Sequence, residues 1–485
     1  MEKMKNQKKN KLTSKSKDEE KFNEKIFITL LLIVYLIFLL VIDSLSPSFV
    51  WDENVYLGNA RSYISHSNFI EDFRFPGMEY LVAFFWLFTG ESILVAKLIV
   101  ILMSVLTILF TYLCAKRFMD KRLAYLASFL FALAPLMLQW GFRILGEAPG
   151  LFFVMLSFYM IILAKEKNKL IYIALAAIFS AYAFLSRFAL LIFPFCIVIY
   201  FLLQKKSRHL LFFSIFFILA LSPWLYYNTV TYNNPVWDVL EYNKVVKEWT
   251  FLEPIPQQLY NLLVNLRVLL PFAIIGTVSF ILSKEKKSLK FLIVFYVLVS
   301  LAYYLFFVKM KADRYFLAFL PFLYILGFEG LAFINSKLAN LKPGRFNWKK
   351  IFFAFLLVLI ILDAVSGSIY TLEVIIKKET CDSYDGAIFK SIDYMKPKIN
   401  EHNAIVSNYW PYFGYFLNAK SYTAWTSPRN LIENYSVNYF IYGDWAGNFY
   451  NLTYFESQPN IELEKVINGS CNWTVRVYHV TNATN

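Results

Sequence analysis

Residues 26–57 read IFITLLLIVYLIFLLVIDSLSPSFVWDENVYL. From Ile26 to Ile42 there is no charged side chain. A helix that crosses a bilayer core needs about 20 mostly apolar residues, so this run predicts a membrane span. Asp43 and Pro47 break it. Asp52 and Glu53 follow, a pair of adjacent acids just beyond the membrane boundary. A loop has no general need of two carboxylates there, and the rest of the chain bears on what they do.

The composition extends the first reading to most of the chain. Of 485 residues 58% are hydrophobic and 19% aromatic, against about 45–50% apolar in a soluble protein. Apolar runs recur near 26–42, 93–115, 122–140, 144–164, 169–186, 188–203, 210–227, 266–283, 289–308, 314–334 and 351–369. Their lengths predict about eleven transmembrane helices. A further apolar stretch, 75–89, is short for a span and reads as an interfacial or re-entrant helix. The expected fold class is therefore a polytopic α-helical membrane protein.

Charge sets the expected orientation, because Lys and Arg accumulate on the cytoplasmic side of short loops. Residues 1–25 form a basic tail expected to be disordered and cytoplasmic. Alternate loops are then basic: KRFMDKR at 116–122, KEKNK at 165–169, QKKSR at 204–208, KEKK at 284–287 and KPGRFNWKK at 342–350. The net charge of +14 is mainly this topology signal. Nucleic acid is not an expected partner, since no basic, aromatic-interleaved soluble patch accompanies the charge.

An odd number of spans puts residues 370–485 on the extracytoplasmic face. N-x-S/T acceptors at Asn434, Asn451, Asn468, Asn472 and Asn482 agree, all in this segment and none before it. Short strands near 404–408, 421–425, 438–442, 461–467 and 473–480 alternate with helical stretches near 384–396 and 427–435, which predicts a small α/β domain. Cys381 and Cys471 bracket it and are candidates for a disulfide in an oxidising compartment. The membrane is a plasma membrane or an endoplasmic reticulum. The intervening 26–369 is the transmembrane catalytic unit, with a first outer loop at 43–92.

In that loop YLGNARSYI has helical spacing and is expected as an amphipathic helix on the membrane surface. Asp52 also suits the cap of that helix, a structural reading that stands beside the catalytic one. More charges fall at the same outer level: Arg74, Arg143 and Glu147, Arg187, and the run KMKADR at 309–314 with Lys311 and Arg314. Arg143 and Glu147 are spaced to pair on one helix face. Tyr56 and Tyr315 stand beside these charges in sequence. Cations on the outer side run against the usual bias, and ionisable groups at membrane depth mark functional sites. A carboxylate can take the proton of a hydroxyl, and Arg or Lys can hold a phosphate as it leaves. Sugar transfer from a lipid phosphate to a protein, glycan or lipid acceptor uses all of these. A transporter or flippase of a lipid-linked or charged solute is the alternative, but the inverted repeats frequent in transporters are missing. His66, His209, His402 and His479 are scattered, so no ligand cluster supports a metal, although a divalent ion remains compatible with this chemistry.

Several segments in this order carry a resemblance: WDENVYLGNAR, RFPGMEYLVAFFWLFTGES, APLMLQWGFRILGEAP, SPWLYYNTVTYNNP and KADRYFLAFLP. Over nearly its whole length the chain resembles GT-C membrane glycosyltransferases, specifically the dolichyl-phosphate-mannose protein mannosyltransferases and bacterial aminoarabinose transferases. The resemblance implies a polyprenyl-phosphate sugar donor embedded among membrane lipids, transfer of a hexosyl or pentosyl group on the outer face, and inversion at the anomeric centre. It implies catalysis by Asp52 and Glu53 with Asp52 as base. Arg143 and Glu147 would then lie near a substrate, and Lys311 and Arg314 would hold phosphate. Many relatives carry His-Pro-Pro where this chain has Arg74-Phe75-Pro76-Gly77, so no histidine metal site carries over. The WWDxG motif of related oligosaccharyltransferases is also missing; GDWAG at 443–447 is the nearest string.

Overall fold

A computed structural model describes the chain except for residues 1, 47–48, 72–73, 249–254, 283–288, 309–311, 340–347, 382, 401–402, 424–427, 444–455, 470–472 and 482–485. Helix α1 (Glu2–Leu45) carries the first apolar run. It starts at Glu2, so the tail expected to be disordered is helical; its Lys, Glu and Gln are good helix formers. Two short helices follow, α2 (Trp51–Ser62) and α3 (Gly77–Thr89), and then α4 (Ile93–Ala115). The run at 122–140 is two helices rather than one, α5 (Lys121–Ala132) and α6 (Pro135–Trp140). Pro135 lacks an amide hydrogen, which ends one helix and suits the start of the next. After these come α7 (Glu147–Lys167), α8 (Leu170–Ser186), α9 (Ile192–Leu203), α10 (Ser207–Tyr232), α11 (Trp237–Glu248) and α12 (Ile255–Leu266). The helical part closes with α13 (Leu269–Leu282), α14 (Leu289–Phe306), a 3-10 turn at Asp313–Ala318, α15 (Leu320–Ala339) and α16 (Trp348–Cys381).

Among the described residues six helical segments are long and apolar enough to cross a membrane: Glu24–Leu45, α4, α7, α10, α14 and Ile351–Lys377. The chain is an integral membrane protein. Helices α8, α9 and α13 are apolar but shorter, so lengths alone do not yield the expected eleven. The run expected at 314–334 instead opens with the 3-10 turn and becomes α-helical at Leu320.

Lipid offers no hydrophobic drive between helices, so their packing depends on close approach and on polar contacts. Ser157 of α7 meets Ser180 of α8, with Oγ atoms 2.8 Å apart, and bonds the Ala176 carbonyl at 2.8 Å. Helices α13 and α15 cross at glycines. A Cβ added at Gly276 would lie 1.9 Å from the Leu326 carbonyl oxygen, and one at Gly330 would lie 2.0 Å from that of Phe272.

The C-terminal part is the expected α/β domain. Strands β1 (Ala404–Ser407), β2 (Lys420–Tyr422), β3 (Val437–Gly443), β4 (Ile461–Asn468) and β5 (Thr474–Val480) form one sheet in the order β2-β1-β3-β5-β4. β1 runs parallel to β2 and β3; β5 is antiparallel to β3 and β4. Helices α17 (Ser383–Met395), α18 (Trp410–Leu417) and α19 (Pro428–Tyr435) complete it. Asn434 and Asn468 are exposed; Asn451, Asn472 and Asn482 lie outside the described residues, as does Cys471. The candidate disulfide to Cys381 therefore falls outside them too.

This domain sits on α2. The Tyr412 hydroxyl donates to the Phe49 carbonyl at 2.6 Å, Arg61 donates to the Tyr415 carbonyl at 2.7 Å, and Asn68 donates two bonds to Asn418, each at 3.0 Å. Gly58 of α2 and Gly414 of α18 grip opposite sides of the Phe69 ring, which leaves no room for a Cβ on either. Every residue of α2 from Glu53 to Ala60 is buried. Thus α2 does not lie on the membrane with one face open, because the C-terminal domain covers the face expected to meet lipid.

Replacing Gly330 by Ala should wedge α15 away from α13. Overpacking of this kind costs about 1–3 kcal/mol. Thermal unfolding in detergent should show a lowered Tm, and an unchanged one would mean that the two backbones are not held at this distance.

Candidate active site

The site forms where several helix ends meet beneath the C-terminal domain. Asp52 is in the first turn of α2. Val50, not Asp52, occupies the cap position. That frees the Asp52 carboxylate to face away from its own helix. Its Oδ1 lies 2.9 Å from Nη2 of Arg74, and its Oδ2 accepts from Nη2 of Arg314 at 2.6 Å. Arg74 precedes α3 and also donates through Nε to Glu71 at 2.7 Å. Arg314 is in the 3-10 turn, and its Nε lies 3.0 Å from Oε1 of Glu147. The same oxygen is 3.1 Å from Nη2 of Arg187, in the link after α8. Asp52, Glu71 and Glu147 thus alternate with Arg74, Arg314 and Arg187.

Burial alone would raise the Asp52 carboxyl. Arg74 and Arg314 outweigh it, with help from Arg187, and hold the group well below the usual carboxylate range. Asp52 is an anion at neutral pH. Glu147 is buried, and neither of its oxygens accepts an aligned hydrogen bond. Its contacts with Arg187 and Arg314 are charge contacts at ion-pair distance, which tolerate re-aiming better than a directional bond does.

Aromatic faces line the cations. The Arg187 guanidinium lies 4.4 Å from the Tyr315 ring centre and Arg74 lies 5.5 Å from Tyr56. Arg314 stands over Trp140 at 5.6 Å. Stacking desolvates the guanidinium groups while leaving their in-plane N–H groups available.

Close backbone packing aims these side chains. A Cβ on Gly146 would come within 2.2 Å of the Ser186 carbonyl oxygen, and one on Gly77 within 2.5 Å of the Leu185–Ser186 backbone. The start of α7, the start of α3 and the end of α8 are thereby pressed together. Glu147 and Arg187 directly follow Gly146 and Ser186, and Arg74 lies three residues before Gly77.

Glu53 does not join Asp52. It is fully buried on another side of α2, where its oxygens accept from the amides of Val50 at 2.7 Å and Ile144 at 2.8 Å. Arg143 lies 3.6 Å away and donates to Ser46 at 2.6 Å. The expected Arg143–Glu147 pair is therefore not made. Arg143 precedes α7 in irregular backbone and serves Glu53, whereas Glu147 opens the helix and serves Arg187 and Arg314. Lys311 lies outside the described residues. Sequence reasoning missed Glu71, which stands beside Asp72 in a loop and whose sequence signal is its spacing from Arg74.

A divalent metal does not suit the centre. Both Asp52 oxygens already face guanidinium groups. Among the described residues no three His, Cys, Asp or Glu side chains converge.

Residues 74–227 match the family model of dolichyl-phosphate-mannose-protein mannosyltransferases. No curated protein sequence matches the chain. The fold is similar to that of ArnT from Cupriavidus metallidurans bound to undecaprenyl phosphate, with 12% identity and a TM-score of 0.68 over 94% of this chain and 99% of that one. It is also similar to the oligosaccharyltransferase AglB from Archaeoglobus fulgidus, in complex with an inhibitory peptide and a dolichol-phosphate. There the identity is 12% and the TM-score 0.55, over 86% of this chain and 69% of that one. The matched segment runs from Arg74 through Glu147 and Arg187 into α10, and so contains half of the charged centre. In its membrane-helix architecture and C-terminal sheet domain the chain has a fold similar to those of ArnT and AglB, and over residues 74–227 it resembles the mannosyltransferase family.

Proposed function

We propose that this protein transfers a sugar from a polyprenyl-phosphate donor to a hydroxyl of a protein, glycan or lipid acceptor on the outer face of its membrane. The observation that most supports this is the Asp52 carboxylate held between Arg74 and Arg314, next to the Glu147–Arg187 pair. The ArnT and AglB structures carry a polyprenyl phosphate by their descriptions. A donor of that kind needs a place for a phosphate at the membrane boundary, and three guanidinium groups supply one. On this reading N-terminal residues are cytoplasmic and residues 370–485 extracytoplasmic. The shared position of the C-terminal domain and the acids, at the end of α1 away from its Lys116–Glu24–Lys121 cluster, supports that orientation.

In the reaction the acceptor oxygen attacks the anomeric carbon from the face opposite the phosphate. The bond from that carbon to the phosphate oxygen breaks, and its electron pair leaves with the polyprenyl phosphate. The hydroxyl proton goes to Asp52. The leaving phosphate gains one negative charge, which Arg314 and Arg187 are suited to stabilise. A carboxylate clamped by two cations is a weak base. An incoming phosphate that draws Arg314 toward itself removes part of that clamp, so donor binding raises the basicity of Asp52 when the acceptor needs it. Glu147, whose contact with Arg314 can be re-aimed, then holds Arg314 in its turned position. Glu53, which holds the 142–147 backbone, acts as a positioning residue for Glu147.

Purified protein given radiolabelled polyprenyl-phosphate sugars should yield labelled product, and Asp52→Asn should lose at least about 100-fold in rate with an unchanged elution profile. Full activity in that variant would remove Asp52 as the base. Arg314→Ala should weaken donor binding, measured with the polyprenyl phosphate alone. Glu53→Gln should lower thermal stability more than it lowers the rate constant measured at saturating donor.

Asp52 also carries a pH signature. Its folded carboxyl lies below its unfolded value of about 3.9, so its ion pairs stabilise the protein above that pH. The contribution disappears as pH falls through the lower, folded value. The stability difference between wild type and Asp52→Asn should stay flat from about pH 8 to 5 and shrink below about pH 4, as followed by thermal unfolding across that range.

A further inference from the structure

Arg74 has a second side. Away from Asp52 it lines an open pocket between α2, α3 and the α10–α11 corner. The polar groups around this pocket are mostly acceptors. Glu79 is 1% exposed and takes 2.7 Å and 3.4 Å bonds from Asn59 and the Tyr63 hydroxyl. Among the described residues it makes no ion pair. Asp238 accepts from the Trp224 indole at 2.6 Å and is also buried. Asn228, 1% exposed, lines the same pocket with an amide oxygen that has no hydrogen-bond partner among the described residues. The charge of Arg74 itself is met by Asp52 and Glu71.

The walls are aromatic. Tyr63 packs edge-on against Tyr80 at 5.0 Å and Tyr227 at 6.3 Å, and Trp224 closes the side by Asp238. Ring faces attract cations, most strongly where water is excluded. Burial, with Glu71 and Asp238 nearby, pushes the Glu79 carboxyl well above the usual carboxylate range despite Asn59 and Arg74. A bound cation would reverse that cost.

From these observations we infer that the pocket binds a primary ammonium group of the acceptor, between the Glu79 and Asp238 carboxylates and the Tyr63, Tyr80 and Tyr227 rings. The assignment to the acceptor rests on the proposed glycosyl transfer. A polyprenyl-phosphate donor brings an anion, which this acidic pocket repels and the Arg314–Arg187 side attracts. Arg74, shared by pocket and centre, would place an ammonium-bearing acceptor with a neighbouring hydroxyl at Asp52. An ammonium of this kind comes from one of two sources, a lysine side chain or an aminated sugar.

The test measures binding without transfer, so that it stands apart from the Asp52 assay. Full-length protein in detergent is titrated by ligand-observed NMR with lysine amide and with glucosamine, each beside its neutral counterpart, norleucine amide or glucose. One ammonium probe should bind at least about tenfold more tightly than its neutral counterpart, and which one does so identifies the source. Glu79→Gln and Asp238→Asn should each erase most of that preference. Tyr227→Leu, at the exposed mouth of the pocket, should reduce it in a protein whose fold is not at risk. Equal binding of charged and neutral probes, binding unaffected in the variants, or no binding by any probe would overturn the inference. Ammonium binding that persists while Asp52→Asn retains transfer would instead fault the catalytic reading alone.

Discussion

Buried charge is the constraint on which the rest of this molecule depends. An isolated carboxylate or guanidinium cannot be taken out of water without a large penalty, and a partner at good geometry is needed to offset it. Here Asp52, Glu71 and Glu147 alternate with Arg74, Arg187 and Arg314, so that each charge faces opposite ones. The members come from five separate segments: the first turn of α2, the loop before α3, the start of α7, the link after α8 and the turn before α15. Removing one charge strands its neighbours. The bundle must therefore bring all five segments together, and the glycines that press α3 and α7 against the end of α8 are where the backbone permits it.

The same arithmetic separates two electrostatic environments on either side of Arg74. Toward α7 and the 3-10 turn the environment is rich in guanidinium and suits an anion. Toward α10 and α11 it is rich in carboxylates and rings. Coulomb interactions in a partly desolvated cleft are much stronger than in water, so a modest difference in side-chain content gives the two sides opposite preferences. Asp52 lies at the boundary, where an anionic leaving group and an acceptor hydroxyl would meet.

The C-terminal domain acts on this centre through α2. Its hold on Phe49, Arg61 and the Phe69 ring encloses the helix that carries Asp52. Such bracing limits the freedom of the carboxylate before any substrate binds, which is the form of preorganisation that charge stabilisation requires. Glu53 contributes from the inside by tying α2 to the backbone of Ile144, just ahead of Glu147.

Much of this was legible in the amino-acid order. Long apolar runs declare helices in lipid because no other structure satisfies the backbone there, and alternating short runs after residue 400 declared the strands of the C-terminal sheet. The outer-level charges Asp52, Arg74, Glu147, Arg187 and Arg314 stood out because ionised groups at that depth are costly. What the sequence could not determine was pairing. Asp52 and Glu53 are neighbours, yet successive helical residues point about 100° apart, so one reaches Arg314 from 262 positions away and the other reaches Ile144. Glu79, Asp238 and Asn228 carry no periodic signal and sit on three different helices. Composition and spacing determined that this chain enters a membrane and bears charges near the ends of its apolar runs. Only the tertiary structure decided which charges meet, because that depends on contacts between segments hundreds of residues apart.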